Sequence, residues 1–367
     1  MDRPFIRGLQ LSELFYQDAV KPIMDAHWSA LAYSAARLDY GSDVLGFDTP
    51  QSMDHEWGPR LTLFLTEVDH KSYREEILQL LSVKLPYEIH NYPTNFGLNK
   101  DGTRAMQEIA SGPVNHYVEL DTVRSFFGAY LNYDPRGQLS IVDWLSFPEQ
   151  RLRTIASGRV FHDGLRELKS IQDKLHYYPR DLWLYLLAAQ WRRISQEEAF
   201  VGRCGDVGDE LGSRLVAARL VGELIKLCFL MERQYAPYSK WFGTAFSQLA
   251  SADNLGPILN QVLDSDTWQE REKALSLAYE HLARMHNDLK ITQALPSRVS
   301  HYHGRPYRVI HADRFTDAIR NVIISQEVKR LPAHLGAVDQ FVDSTDMLER
   351  PDRIDKLKVL YEDGESV

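Results

Sequence analysis

The chain of 367 residues has only two cysteines, Cys204 and Cys228. So few argue against a disulfide framework and suit a reducing compartment. Both fall where the surrounding pattern reads as helix. No run of about 18 apolar residues occurs, so no transmembrane helix is expected. The first ten residues lack the apolar stretch of a secretory leader, which makes the cytoplasm the expected location. Positive charge is also short. Forty-two Lys and Arg against 51 Asp and Glu leave a net charge of −9. That balance argues against a general nucleic-acid binder, which shows a basic domain, though it leaves room for a local basic channel. There is no internal repeat and no low-complexity tract. The hydrophobic content is 44%, enough for a packed core, and the length favours two domains.

Periodicity divides the chain. Residues 11–28 read as an amphipathic helix, with Leu11, Leu14, Phe15, Ala19, Ile23 and Met24 at helical spacing. Strands are expected at 31–38, 61–68 and 116–123, and a helix at 72–85 closed by Pro86. The stretch 93–112, rich in Gly, Asn and Asp, reads as a surface excursion. Past residue 145 the pattern turns helical: 148–158, 166–175, 181–203, 206–234, 266–289 and 313–329, with a short strand at 305–311. Asp181 is the expected N-cap of its helix, two residues after Pro179. Trp183, Leu186, Leu187, Trp191 and Ile194 form one stripe. Leu215, Ala218, Leu220, Leu224, Leu227 and Leu230 make the next helix apolar enough to be central. Residues after Glu349 read as a charged, loosely held tail. The expected fold is α+β: an N-terminal mixed sheet with flanking helices over 1–145, then a mostly helical domain over 146–367.

One constellation carries chemistry. Gly41-Ser42 is followed, eleven residues after the serine, by Asp54-His55-Glu56. A Gly-Ser turn offers backbone N–H groups and a small hydroxyl to a triphosphate without obstruction. Acids at i and i+2 of an extended segment share a face and can hold Mg²⁺, or Mn²⁺, against the same phosphates. This is the layout of a metal-dependent nucleotidyltransferase. The bland alternative is an N-cap turn near a solvated acid pair. His55 is expected on the opposite side, packed in the core or capping a loop. Gly58-Pro59 follow at once, so a strand bearing the acids would be short or bulged. Arg60 could grip a phosphate bidentately or make an ordinary salt bridge. In 235–241 the Pro-broken turn could stack on a base or sugar through Tyr238, with Lys240 on a phosphate; a structural turn is the alternative. His301, His303 and His311 could suggest a transition metal, but the His301-x-His303 pair lacks a convincing third ligand nearby and no Cys joins it, which argues against zinc.

The string YGSDVLGFDTPQSMDHEWGPRLTLFL resembles the signature of an uncharacterised bacterial family of unknown function. That family falls in the DNA polymerase β-like nucleotidyltransferase superfamily. The resemblance continues through WLSFPEQRL, YYPRDLWLYLLAAQW, RISQEEAFVGRCGDVGDELGSRL, YAPYSKWFGTAF and RPYRVIHADRF, nearly the whole chain. It implies a two-domain layout similar to aminoglycoside nucleotidyltransferases. It also implies a third carboxylate on a neighbouring strand. Glu119, between Val118 and Leu120, fits that form, with Asp121 competing. Asp54, Glu56 and Glu119 are then the catalytic and metal-ligating set, and Gly41, Ser42, Arg60 and Lys240 contact the nucleotide. In the helical lobe Glu197 or Glu198 would serve as base, and with Arg203 and Tyr238 they would hold the acceptor. The implied activity moves an NMP from an NTP, ATP by default, to a hydroxyl of a small molecule, with release of pyrophosphate. Two alternatives stand: a nucleotide-binding sensor without turnover, and nucleotidylation of a protein or RNA. His in place of the usual apolar residue between the acids departs from the superfamily pattern.

Overall fold

A computed structural model describes residues 4–361 and shows an α+β protein. From the N-terminus the elements are α1 (Gly8–Phe15), a π-turn (Tyr16–Val20), α2 (Lys21–His27), β1 (Ser34–Arg37), a 3₁₀ turn (Pro50–Asp54), β2 (Arg60–Leu65) and α3 (Glu67–Lys84). Short strands β3 (Glu88–Ile89), β4 (Tyr92–Pro93), β5 (Phe96–Leu98) and β6 (Arg104–Met106) precede β7 (Tyr117–Thr122), α4 (Val123–Leu131), α5 (Ile141–Ser146), α6 (Glu149–Ser157), β8 (Arg159–Asp163) and α7 (Leu168–Lys174). Then come α8 (Arg180–Glu197), α9 (Phe200–Asp206), α10 (Glu210–Met231), α11 (Ser239–Phe246), α12 (Ala252–Asp264) and α13 (Trp268–Asp288). The hairpin β9 (Ser300–His301) and β10 (Arg308–Val309) leads to α14 (Asp313–Asn321), α15 (Gln326–Lys329), α16 (Val338–Phe341), α17 (Thr345–Leu348) and α18 (Pro351–Ile354), and a final 3₁₀ turn spans Asp355–Tyr361.

The chain forms two compact units, Met1–Leu139 with Arg151–His176, and Ser140–Gln150 with Tyr177–Val367. A single crossing at 145/146 was expected. The chain returns instead because β8, which the sequence did not signal, completes the first unit's sheet. That sheet has the order β7-β2-β1-β8. β2 and β7 are parallel, with Thr62 opposite Glu119, whereas β1 is antiparallel to both β2 and β8, with Ala36 opposite Thr62. Residues opposite one another share a face. Ala35, Leu61, Leu63, Leu65, Val118 and Leu120 form an apolar face that packs with Phe15, Val20, Met24, Ile77 and Leu81 from the helices. Each such side chain, fully buried, contributes about 1.5–3 kcal/mol. Thr66 starts α3 by accepting from the Asp69 N–H at 3.1 Å. The expected first helix is broken at 16–20 because Pro22 has no N–H to continue the ladder.

The second unit is built on α8, in which every residue from Leu182 to Trp191 is buried. A helix apolar on all sides is a core helix. Gln190, buried in it, donates to the Glu223 carboxylate at 2.6 Å and accepts from Gln340 at 2.9 Å. Several expectations are corrected here. The helix expected at 181–203 is two, α8 and α9. Asp181 does not cap α8, which follows Pro179; its carboxylate accepts from the N–H groups of Ile324 and Ser325 at 2.8 and 2.6 Å. Leu215 is 64% exposed rather than central. Residues 351–361 are not a loose tail: Ile354 and Tyr361 are buried and Lys358 pairs with Asp143 at 2.6 Å. The rest of that expected tail lies outside the described residues. Among the described residues no helix is long and apolar enough to cross a membrane.

Candidate active site at one end of the first-unit sheet

The antiparallel pairing of β1 brings its C-terminal end beside the first residues of β2 and β7. The Gly41-Ser42 turn therefore begins at the same end of the sheet as Arg60 and Tyr117. A buried charge network lies beneath the turn. Arg37, Asp39, Asp43 and Arg60 are all buried. Arg60 Nη2 meets Asp43 Oδ1 at 2.8 Å, Arg37 Nε lies 3.6 Å from Asp43 Oδ2, and Arg37 also pairs with Asp39. Arg37 donates further to the Tyr40 carbonyl at 2.6 Å. Burial works against the Asp43 charge, yet Arg60 and Arg37 hold its carboxyl below the usual range. Burial brings the Arg37 guanidinium down to about 10, helped by the charge of Arg60 and resisted by Asp43, Tyr40 and Glu119. Gly41 has φ +142°, and a Cβ there would stand 2.0 Å from Asp43 Oδ1 and 2.4 Å from Arg60 Nη2. Its missing side chain admits the ion pair as well as opening the turn. Arg60 is thus committed to Asp43 in the interior, a correction to its expected role on phosphate. The Ser42 carbonyl accepts from Phe47 N–H at 2.9 Å, which closes the turn.

The paired acids are not on a strand. Asp54 ends the 3₁₀ turn, and Glu56 has a left-handed φ of +47°. Gly58 at φ +140° and Pro59 delay β2 to Arg60. A non-glycine residue held left-handed costs on the order of 1–3 kcal/mol and needs surroundings that impose it. Here Glu56 N–H donates to the Arg104 carbonyl at 2.7 Å, and its Oε1 accepts from the Arg104 N–H at 3.3 Å. Its Oε2 accepts from the Tyr117 hydroxyl at 2.6 Å. Asp54 is exposed and pairs with His55 Nδ1 at 2.8 Å; His55 is itself exposed, not packed in the core as expected. Glu119 lies on β7 where expected and is exposed, with buried Thr62 opposite it. Asp121, its competitor, accepts from the N–H of Thr122 at 2.8 Å.

Among the described residues no three or more His, Cys, Asp or Glu side chains gather as a metal-holding group. Asp54, Glu56 and Glu119 are therefore no preassembled triad, and Glu56 is already engaged. The oxygen chemistry of Asp54 and Glu119 suits a hard cation, but the positions alone do not enclose one.

Sequence reasoning missed the aromatic and basic groups of this end. The hydroxyls of Tyr40 and Tyr117 lie 3.2 Å apart, extending the chain from Glu56. Burial and the bond to Glu56 raise the Tyr117 phenol, so it stays a donor. The Arg104 guanidinium carbon lies over the Tyr117 ring, 4.1 Å from its centroid. Only the adjacency of Tyr40 to Gly41-Ser42 was visible beforehand; Arg104 sits in a stretch read as a surface excursion.

The other expected residues belong to the second unit. Glu198 is buried: Oε2 accepts from the N–H groups of Ile310 at 2.8 Å and His311 at 3.1 Å, and Oε1 accepts from Ala312 at 3.0 Å. It braces the chain entering α14 and is not a free base, which corrects the expectation. Burial pushes it up to about 7 against those three donors. Glu197 pairs with Arg219 at 3.3 Å. Arg203 is exposed, 5.8 Å from the Phe200 ring centroid. Tyr238 precedes α11 and donates its N–H to Gln150 Oε1 at 3.1 Å. Lys240 is exposed, 5.2 Å from the Trp241 ring centroid.

Residues 144–242 match a domain of unknown function, DUF4037. No curated protein matches the chain. Among solved structures, the chain is similar to a nucleotidyltransferase-like protein from Exiguobacterium sibiricum 255-15. The identity is 12%, over 77% of this chain and 78% of that one, with a TM-score of 0.30. At that TM-score the likeness fixes neither the fold nor the chemistry.

Proposed function

We propose that the chain is a nucleotidyltransferase that moves an NMP from an NTP to a hydroxyl of a small molecule. What supports this reading is the sheet register: β1, which leads into Gly41-Ser42, pairs with β2, and β2 with the strand that carries Glu119, as Ala36–Thr62–Glu119. The turn would receive the triphosphate on its N–H groups. Glu119, exposed and beside the buried cation Arg37, would take the acceptor proton. The acceptor oxygen would then form a bond to the α-phosphorus as the bond to the bridging oxygen breaks, and pyrophosphate would leave with that electron pair. Asp54 and Glu119 are the residues that would hold Mg²⁺ or Mn²⁺ brought in with the phosphates, whose charge such a cation neutralises. ATP is the default donor.

The second reading is a nucleotide sensor. The engagement of Glu56 by Tyr117 and the lack of a gathered acid triad favour it. An NTP labelled at the α-phosphate, offered with amino sugars, nucleoside-like metabolites, proteins and RNA, separates the two. A transferase passes its label on and releases pyrophosphate in equal amount, and Asp54→Asn or Glu119→Gln lowers turnover by ~10²-fold or more without a change in melting temperature. Binding without labelled product supports the sensor. No binding of any NTP sinks both.

A further inference from the structure

Arg37, Arg60 and Arg104, near this end of the sheet, are used differently. Arg37 and Arg60 are buried and paired with Asp39 and Asp43. Arg104, on β6, is half-buried. It has no acid partner among the described residues, and its side chain contacts the Tyr117 ring. We propose that Arg104 is the residue that grips the polyphosphate, a deepening that rests on the nucleotide reading above.

Three observations make it a built site rather than a stray surface cation. Its backbone is fixed at both ends of the peptide pair with Glu56, through the carbonyl at 2.7 Å and the N–H at 3.3 Å. The hairpin β5–β6 holds it in register opposite Leu98. The ring under its guanidinium is anchored in turn, since the Tyr117 hydroxyl donates to Glu56 and lies beside that of Tyr40. A guanidinium held over a ring carries no salt bridge with it, and its planar fork of N–H groups matches two phosphate oxygens at once. An unpaired half-buried cation loses solvation unless an anion meets it. Glu56 makes both bonds that orient the Arg104 backbone, donating its N–H to the carbonyl and accepting from the N–H, so the left-handed turn at 56 serves the cation as much as the acid. A carboxylate ligand could use the same fork. The chemistry of the neighbouring Gly41-Ser42 turn, backbone donors clear of side chains, favours a chain of phosphates.

The test uses the full chain and inorganic tripolyphosphate as probe, beside ATP and adenosine, by titration calorimetry. Wild type is expected to bind tripolyphosphate and ATP. Arg104→Ala should weaken both by ten-fold or more while leaving adenosine unchanged. Arg104→Lys, which keeps charge but loses the planar fork, should recover only part. The expected difference should shrink with added salt. Equal losses for adenosine and ATP would mean a purely structural role and overturn the proposal, as would undiminished binding in Arg104→Ala or no tripolyphosphate binding by wild type. Arg104-dependent tripolyphosphate binding in a chain that transfers no label would uphold this site while the transferase reading fails.

Discussion

Two buried acids, one in each unit, are answered in opposite ways. In the first, Asp43 is enclosed with two guanidinium groups, which outweigh burial and keep it ionised. In the second, Glu198 receives only backbone N–H groups, and burial pushes it up to about 7. Glu149 and Asp339 in that unit are raised too, by burial and, for Glu149, by the neighbouring Asp339 charge, with Lys226 countering. At Asp43 the guanidinium charges outweigh burial, whereas at Glu198 burial outweighs three backbone donors that favour the charged form. The first unit pairs Arg37 and Arg60 with Asp39 and Asp43 in its interior, while Asp54 and Glu119 are exposed and Arg104 is half-buried. The second uses Glu198 as a brace for the chain entering α14.

The largest expected effect comes from breaking the paired case. Asp43→Ala would strand two buried guanidinium groups and should cost about 3–5 kcal/mol. Thermal melting should show a large drop; a change below about 1 kcal/mol would mean that the network is not the support described. Next is the pH response. Asp43, held low, contributes stability that is present above its unfolded value of 3.8 and is lost as pH falls through its folded value. Glu198 has the other sign. Its proton is bound more tightly in the folded state, so its contribution is full below 4.5 and is lost as pH rises to about 7. The whole shift is worth on the order of 3 kcal/mol. Melting temperature should therefore fall between about pH 5 and 7, and Glu198→Gln should flatten that limb; an unchanged slope would remove Glu198 as its source. The smallest effect is at the helix surface. Leu215→Ala should cost no more than about 0.5 kcal/mol, whereas buried Leu224→Ala should cost about 2–5 kcal/mol. Equal costs would restore Leu215 to the core.

Periodic signals were readable in the sequence. The stripe Trp183–Ile194, the helix ending at Lys84 and the strand around Glu119 follow from spacing alone. Breaks in geometry were not. The left-handed Glu56 has no marker beyond Gly58-Pro59, and a D-x-E pair reads as strand until the backbone is seen. β8 is five residues long at an edge, with His162 and Asp163 diluting its pattern, so its membership in the sheet depends on β1 and not on its own composition. Arg60 looked like a ligand because a guanidinium advertises charge and hides its partner. Arg104 was overlooked for the converse reason: its setting is made by a tyrosine thirteen positions away in the chain.

The late arrival of β8 sets the order in which the first unit can be completed during synthesis. Ser34 must wait for Asp163, 129 residues later, to which its hydroxyl donates at 2.9 Å. Until then β1 is an open edge, with unpaired backbone groups along Ala35 and Ala36, and residues 140–150, which belong to the other unit, emerge before the gap is filled. Such an edge is a template for pairing between chains. A chain stopped at residue 145 would carry it permanently and should self-associate, whereas in the growing chain it stays open while the 129 residues from Ser34 to Asp163 are added, about 6 to 26 seconds at typical elongation rates.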